Sequence, residues 1–328
     1  MRRSEYIQYA CCLAVLGAGF GPIRAACPPE RIRENTFPLP QGAYVNYRLT
    51  GTGDRVIVAL HGFGGSLDTW NGIEPFLSAD HRFYAIDLPG FGLSAHPRHF
   101  GYTLKEQSES VAAFLRFVHD ENPGRKITLM GHSFGGSIAI ATAILLLDRR
   151  KALVDSLILI DALGFPQSVH LPLSLNILRV PVISHLVLHL VPARSLARAA
   201  LRSGMYRRDR VTNEQVCQFA QFINVQGGHD SLVRTIQQIR TLEAVELSAR
   251  IPEIRIPTLI VWGSHDALLS PDQAELLHQA LPGALPVVFI EAGHLAHQEL
   301  PEATAKLIEE FLAQGPKRTF HETPKAVR

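Results

Sequence analysis

A serine bracketed by glycines, Gly131-His132-Ser133-Phe134-Gly135-Gly136, stands between a short apolar run and a long one. Ahead of it, Lys126-Ile127-Thr128-Leu129-Met130 has the length and β-branching of a buried strand. Behind it, residues 137–147 are apolar all round, as in a buried helix. A serine on so sharp a strand-to-helix turn holds its hydroxyl clear of the backbone, and only small neighbours such as Gly131 and Gly135 leave room for the turn. The helix behind it presents its positive end to any anion that forms there. The bare G-x-S-x-G pattern is common, and its place between a strand and a helix is what gives it weight.

Strand-like and helix-like segments alternate along most of the chain. This predicts an α/β fold with a mostly parallel sheet and helices on both faces. Residues 44–49, 55–60, 82–86, 153–160, 257–262 and 287–290 read as further strands. Thr103 and Glu106 form a capping box that opens a helix running to about Val118. Ser270 reads as a second cap, with Pro271 at the first helical position and Gln273 as its reciprocal partner. A closing helix over 301–313 turns Leu307, Ile308, Phe311 and Leu312 inward. Between about 165 and 250 the rhythm breaks. No strand is evident there, apolar and basic residues mix at helical spacing, and Pro172, Pro181 and Pro192 interrupt. The expected organisation is an N-terminal segment (1–30), the first part of the core (31–164), a helical insertion (165–250), the second part of the core (251–313) and a polar tail (314–328).

A serine hydroxyl is a poor nucleophile near neutral pH. It needs a base within hydrogen-bond reach, and the base needs an orienting partner. Two strand ends supply candidates: Trp262-Gly263-Ser264-His265-Asp266 and Glu291-Ala292-Gly293-His294. The carboxyl edge of a parallel sheet is where such folds bind ligands, so Ser133, Asp266 and His294 are expected to converge there. Of the fifteen histidines, His294 alone combines a strand end with a preceding glycine in the order serine, acid, histidine. His61 reads as a brace for a glycine-rich loop, and His132, beside the serine, as a residue that packs against the site or bonds to a neighbouring loop.

With His61-Gly62-Phe63-Gly64-Gly65 and Asp87-Leu88-Pro89-Gly90-Phe91-Gly92 added, five motifs stand in order, and the chain from about Gly42 to Ala313 resembles the α/β-hydrolases. The resemblance implies an eight-stranded type of sheet with a helical cap inserted after the sixth strand. It implies Ser133 as nucleophile, His294 as base and Asp266 as orienting acid. The backbone N–H groups of Phe63 and Phe134 would form the oxyanion hole. Some relatives carry the acid one strand earlier, which makes Asp161 the competitor of Asp266. Serine at the nucleophile position sets the chain apart from relatives that open epoxides or carbon–halogen bonds with aspartate. The implied activity is hydrolysis of small to medium apolar carboxylic esters through an acyl-enzyme, with neither metal nor organic cofactor. Carbon–carbon bond hydrolysis of vinylogous diketones and a non-catalytic ligand-binding role are the alternatives.

Net charge is +2 without a long basic run, so no nucleic-acid partner is expected. The cysteines, Cys11, Cys12, Cys27 and Cys217, match no zinc spacing and no disulfide framework, and Cys217 reads as a small buried hydrophobe. Met1-Arg2-Arg3, an apolar stretch over 9–23, and Ala25-Ala26-Cys27 before two prolines read as a secretory signal with a hint of a lipoprotein site. The apolar stretch falls short of the roughly 20 residues that span a bilayer. Export or membrane association follows, with a cytoplasmic apolar arm as the other reading. In the insertion, the apolar residues of 171–191 read first as packing on the body and second as an apolar acyl pocket or a membrane-facing lid, a peripheral contact. Arg194, Arg198, Arg202, Arg207, Arg208 and Arg210 behind them read first as a solvated basic helix, and second as facing anionic lipid or a substrate carboxylate.

Overall fold

The computed structural model describes residues 27, 33, 35–165, 180–239 and 241–314. The expected N-terminal leader, the start of the insertion with Pro172, and the polar tail beyond Gln314 lie outside the described residues. Eight strands form one sheet: β1 (Asn35–Pro38), β2 (Tyr44–Thr50), β3 (Arg55–Leu60), β4 (His81–Ile86), β5 (Ile127–His132), β6 (Ser156–Ile160), β7 (Thr258–Gly263) and β8 (Val288–Ile290). Their order is β1-β2-β4-β3-β5-β6-β7-β8. β2 runs antiparallel to both its neighbours, β1 and β4, and the remaining pairs are parallel. The sequence expectation of a mostly parallel eight-stranded sheet with helices on both faces is met.

Alternation along the strands assigns the two faces. In β3, Val56, Val58 and Leu60 join one core cluster while Ile57 and Ala59 join the other. The first face is covered by α2 (Leu104–Glu121), α3 (Phe134–Asp148) and α9 (Asp272–Ala280). The second is covered by α11 (Pro301–Gln314) and by the segment from Leu67 through α1 (Glu74–Leu77). Thr103 caps α2 with the reciprocal Glu106 bond the sequence predicts. The predicted box at Ser270 does not form. The Ser270 hydroxyl takes the Asp272 N–H at 3.4 Å, the helix starts at Asp272, and Gln273 turns into the interior. Truncating a fully buried side chain such as Phe114 should cost about 3–5 kcal/mol.

Between β6 and β7, the described part of the insertion is helical: α4 (Pro181–Leu190), α5 (Ala193–Gly204), α6 (Asn213–Ala220), α7 (Gly228–Gln238) and α8 (Leu242–Ala249). It has a small core of its own, where Ala197, Leu201, Met205, Val216 and Ala220 gather around Leu295 of the body. Two expectations fail here. Cys217 is buried but not a lone hydrophobe, because it forms a disulfide with Cys27, with the Cα atoms 5.5 Å apart. A bridge between cysteines 190 residues apart has no local spacing to read. Nor does all of the apolar segment pack on the body: Val182, Leu186 and Leu190 are 76%, 56% and 71% exposed along one stripe of α4.

Candidate active site

Ser133 sits where β5 ends and α3 begins, at φ 52° and ψ −118°. A positive φ is strained for a serine and costs about 1–3 kcal/mol, which the surroundings must offset. The Ser133 N–H donates to Ile160 O at 3.0 Å, and Ser133 O accepts from Gly136 N and Leu163 N at 2.9 and 3.1 Å. The glycines are sterically required. A Cβ on Gly131 would lie 2.4 Å from Gly135 O, and one on Gly135 would lie 2.4 Å from the carbonyl oxygens of both Leu60 and His61.

The loops after β7 and β8 bring up the other two groups. With the proton of His294 placed on Nδ1, the Ser133 hydroxyl donates to His294 Nε2 at 2.8 Å, and His294 Nδ1–H donates to Asp266 Oδ2 at 2.7 Å. The second oxygen of Asp266 accepts the N–H groups of Leu268 and Leu269 at 2.8 and 2.9 Å. Asp266 and His294 are both buried, so their contact is shielded from solvent. The competitor, Asp161, does not reach the histidine. Its carboxyl accepts from Gly263 N at 2.7 Å and from Ala296 N at 3.4 Å, in the short helix α10 (Ala296–Glu299). Burial, and then the charge of Asp266, push the Asp161 carboxyl well above the usual carboxylate range.

The Gly62–Phe63 loop abuts the serine: a Cβ on Gly62 would lie 3.1 Å from Ser133 Cβ. The Phe134 N–H opens α3, where the helix supplies no acceptor. His61 braces the loop, with Nδ1 against Gly62 O at 2.8 Å and Nε2 accepting the Leu88 N–H at 3.1 Å. Asp87, behind it, accepts from Leu67 N, Leu93 N and the Asn46 amide at 2.7–2.9 Å, so the Asp87–Gly92 motif is a strut. His132 Nε2–H donates to His294 O at 2.8 Å, and its ring lies 4.5 Å from that of His297. Burial pushes both imidazoles down, His132 well below the usual range and His297 to about 3, so both are neutral beside the Ser133–His294 pair.

A family model described as alpha/beta hydrolase fold matches residues 55–299, which contain Ser133, Asp266 and His294. The chain belongs to that family. This alpha/beta hydrolase is 30% identical over 285 residues to a Pseudomonas putida protein named as the dihydrolipoyllysine-residue acetyltransferase component of the acetoin cleaving system, covering 84% of this chain and 70% of that one. It is 27% identical to a 2-hydroxy-6-oxononadienedioate/2-hydroxy-6-oxononatrienedioate hydrolase of Escherichia coli, covering 82% and 91%. Among solved structures it resembles a thermophilic esterase from Thermogutta terrifontis, with a TM-score of 0.68, 25% identity, and coverage of 87% and 98%.

Two crevices flank the serine turn of this hydrolase. One, a small one, is lined by Phe134, Ile140, Leu163 and Leu247 among others. The second, also small, runs between the Gly64–Gly65 loop and Phe219, Phe222 and Leu232 of the insertion. Among the described residues, neither is lined by a charged side chain. Among the described residues, no cluster of three or more His, Cys, Asp or Glu is placed to hold a metal ion, and no helix is long and apolar enough to cross a membrane. Glu299 also borders the site and carries no sequence signal, because its partners are backbone N–H groups, which no residue type announces.

Proposed function

We propose that this alpha/beta hydrolase is a serine esterase for small to medium apolar acyl groups. The observation that carries the reading is the hydrogen-bonded series from the Ser133 hydroxyl through His294 to Asp266. His294 Nε2 takes the hydroxyl proton as Ser133 Oγ attacks the ester carbonyl. The Phe63 and Phe134 N–H groups hold the resulting oxyanion, a donor pair in which each member is worth about 2.7–4 kcal/mol of barrier. His294 then returns the proton to the leaving alcohol, and the acyl group remains on Ser133. Water attacks that acyl-enzyme with His294 again as base, and the acid leaves. Asp266 keeps the imidazole in the required tautomer throughout.

The apolar side chains beside Phe134, among them Ile140, Leu163 and Leu247, support an apolar acyl group. We also propose export, supported by the N-terminal signal pattern and by the Cys27–Cys217 disulfide, since disulfides persist in oxidising compartments. A peripheral membrane contact through Val182, Leu186 and Leu190 is the third element of the reading, supported by their exposure. Co-sedimentation with lipid vesicles tests that contact, and binding unchanged in Leu186→Glu refutes it.

A fluorophosphonate probe tests the main reading. One label per chain, lost in Ser133→Ala, is expected. An unlabelled parent chain would point to a ligand-binding role instead. A series of p-nitrophenyl esters of graded chain length then reports pocket depth, and activity confined to the longest chains would overturn the small-to-medium assignment.

A further inference from the structure

Glu299 closes α10, a few residues beyond His294, and it is buried. Its carboxylate gathers backbone donors from two parts of the molecule. Oε1 accepts the Gly293 N–H at 2.7 Å and the Tyr206 N–H at 3.1 Å, and Oε2 accepts the Arg207 N–H at 3.0 Å. Gly293 immediately precedes His294, while Tyr206 and Arg207 leave the end of α5 in the insertion. A carboxylate offers only acceptors, on two oxygens, which suits three converging N–H groups. An amide would turn an N–H₂ toward one of them.

The same junction is tight in other respects. The His294 N–H donates to Gly204 O, the last residue of α5, at 2.6 Å. A Cβ on Gly293 would lie 2.3 Å from Gly204 O and 2.5 Å from Tyr206 N, so glycine alone lets the two backbones meet. The Tyr206 ring stacks on that of His265, next to Asp266, with centroids 3.8 Å apart and planes within 8°. The insertion therefore touches both loops that carry the acid and the base.

We infer that Glu299 is a positioning residue: it clamps the backbone of the His294 loop to the Gly204–Arg207 end of α5, so that the base is aligned on Ser133 only while the insertion is seated. This rests on the serine-hydrolase reading above. Misplacing a reacting group by about 1 Å costs roughly 10²-fold in rate, which sets the scale of the effect.

The test uses the full oxidised chain, Glu299→Ala and Glu299→Gln. Reactive serines are counted by fluorophosphonate labelling run to completion, and kcat and KM for a p-nitrophenyl ester are expressed per labelled site. Amide hydrogen exchange is read at Gly293, Tyr206 and Arg207. In Glu299→Ala, kcat per site should fall about 100-fold with KM within about threefold, while those three amides exchange faster and the β3 and β5 amides stay protected. Glu299→Gln keeps one acceptor oxygen and should fall between parent and alanine variant. A kcat per site within about twofold of the parent in both variants overturns the inference, as does unchanged exchange at the three amides. If Glu299→Ala fails to fold, Glu299→Gln decides, and full kcat per site in that variant is the overturning result. A parent chain that neither labels nor turns over ester removes the hydrolase reading, while the exchange data still judge the clamp.

Discussion

The sheet and the insertion meet over Ser133, and different forces hold them. In the sheet, position comes from burial. Alternate residues of β3 enter opposite core clusters, α3 is buried almost throughout, and Gly131 and Gly135 admit no side chain. The insertion has a cluster of five residues around Leu295 of the body and exposes much of α4. Its α7 and α8 enter the body's core through Ile236, Ile239 and Ala244, while the α4–α6 part is fastened by discrete ties: the Cys27–Cys217 bond, the Glu299 carboxylate and the Tyr206–His265 stack. Burial fixes many atoms at once and tolerates little change, whereas a few ties fix a rim and leave the surface between them free to vary. That division suits a body that holds the reacting groups and an insertion that shapes what reaches them.

The largest expected effect falls on the body. Ser133→Ala should lower kcat by roughly 10⁵-fold or more with the thermal midpoint nearly unchanged, as measured by ester turnover and calorimetry. Next comes the choice of acid. Asp266→Asn offers an N–H₂ to the imidazole, favours the wrong tautomer, and should lower kcat by roughly 10⁴-fold. Asp161→Asn keeps an acceptor for Gly263 N and should cost less than about tenfold. The reverse ranking would move the acid to β6.

The insertion is then tested through its covalent tie. Cys217→Ser should lose about 2–4 kcal/mol in urea denaturation, and reductant should weaken the parent chain and leave the variant unaffected. A parent chain indifferent to reductant would show that the insertion is held by packing, as the sheet is. The smallest effect concerns His297, which lies against Trp70 and has no hydrogen-bond partner for either ring nitrogen among the described residues. Above pH 6.5 it is neutral folded and unfolded, so it contributes no pH dependence. As pH falls from 6.5 toward 3, the unfolded chain takes a proton that the folded chain refuses, and stability drops by up to about 1.4 kcal/mol per unit. His297→Leu should flatten that part of the curve of urea midpoint against pH.

The sheet and the serine turn were legible in the sequence because their causes are local. A buried parallel strand is a short apolar run, and the turn needs glycines at fixed offsets from Ser133. Asp266 and His294 were legible through strand ends and order alone. β1 was not, since Asn35, Thr36 and Pro38 are exposed at a sheet edge and only Phe37 packs, against Phe114 and Phe117. The Ser270 box failed because an interior site claimed Gln273. The disulfide and Glu299 were hidden for a common reason. Each joins parts of the chain that only the finished fold brings together, and the partners of Glu299 are peptide groups that every residue carries.

The link between Cys27 and Cys217 closes everything from β1 to α6 into a covalent ring. A protease cutting one peptide bond inside that ring would open it without releasing a fragment, and the severed ends would stay joined until a thiol reductant arrived. On a non-reducing gel such a nicked molecule would run as one band, and on a reducing gel as two. Survival of the covalent whole after a single cut between the two cysteines is thus written into the covalent structure.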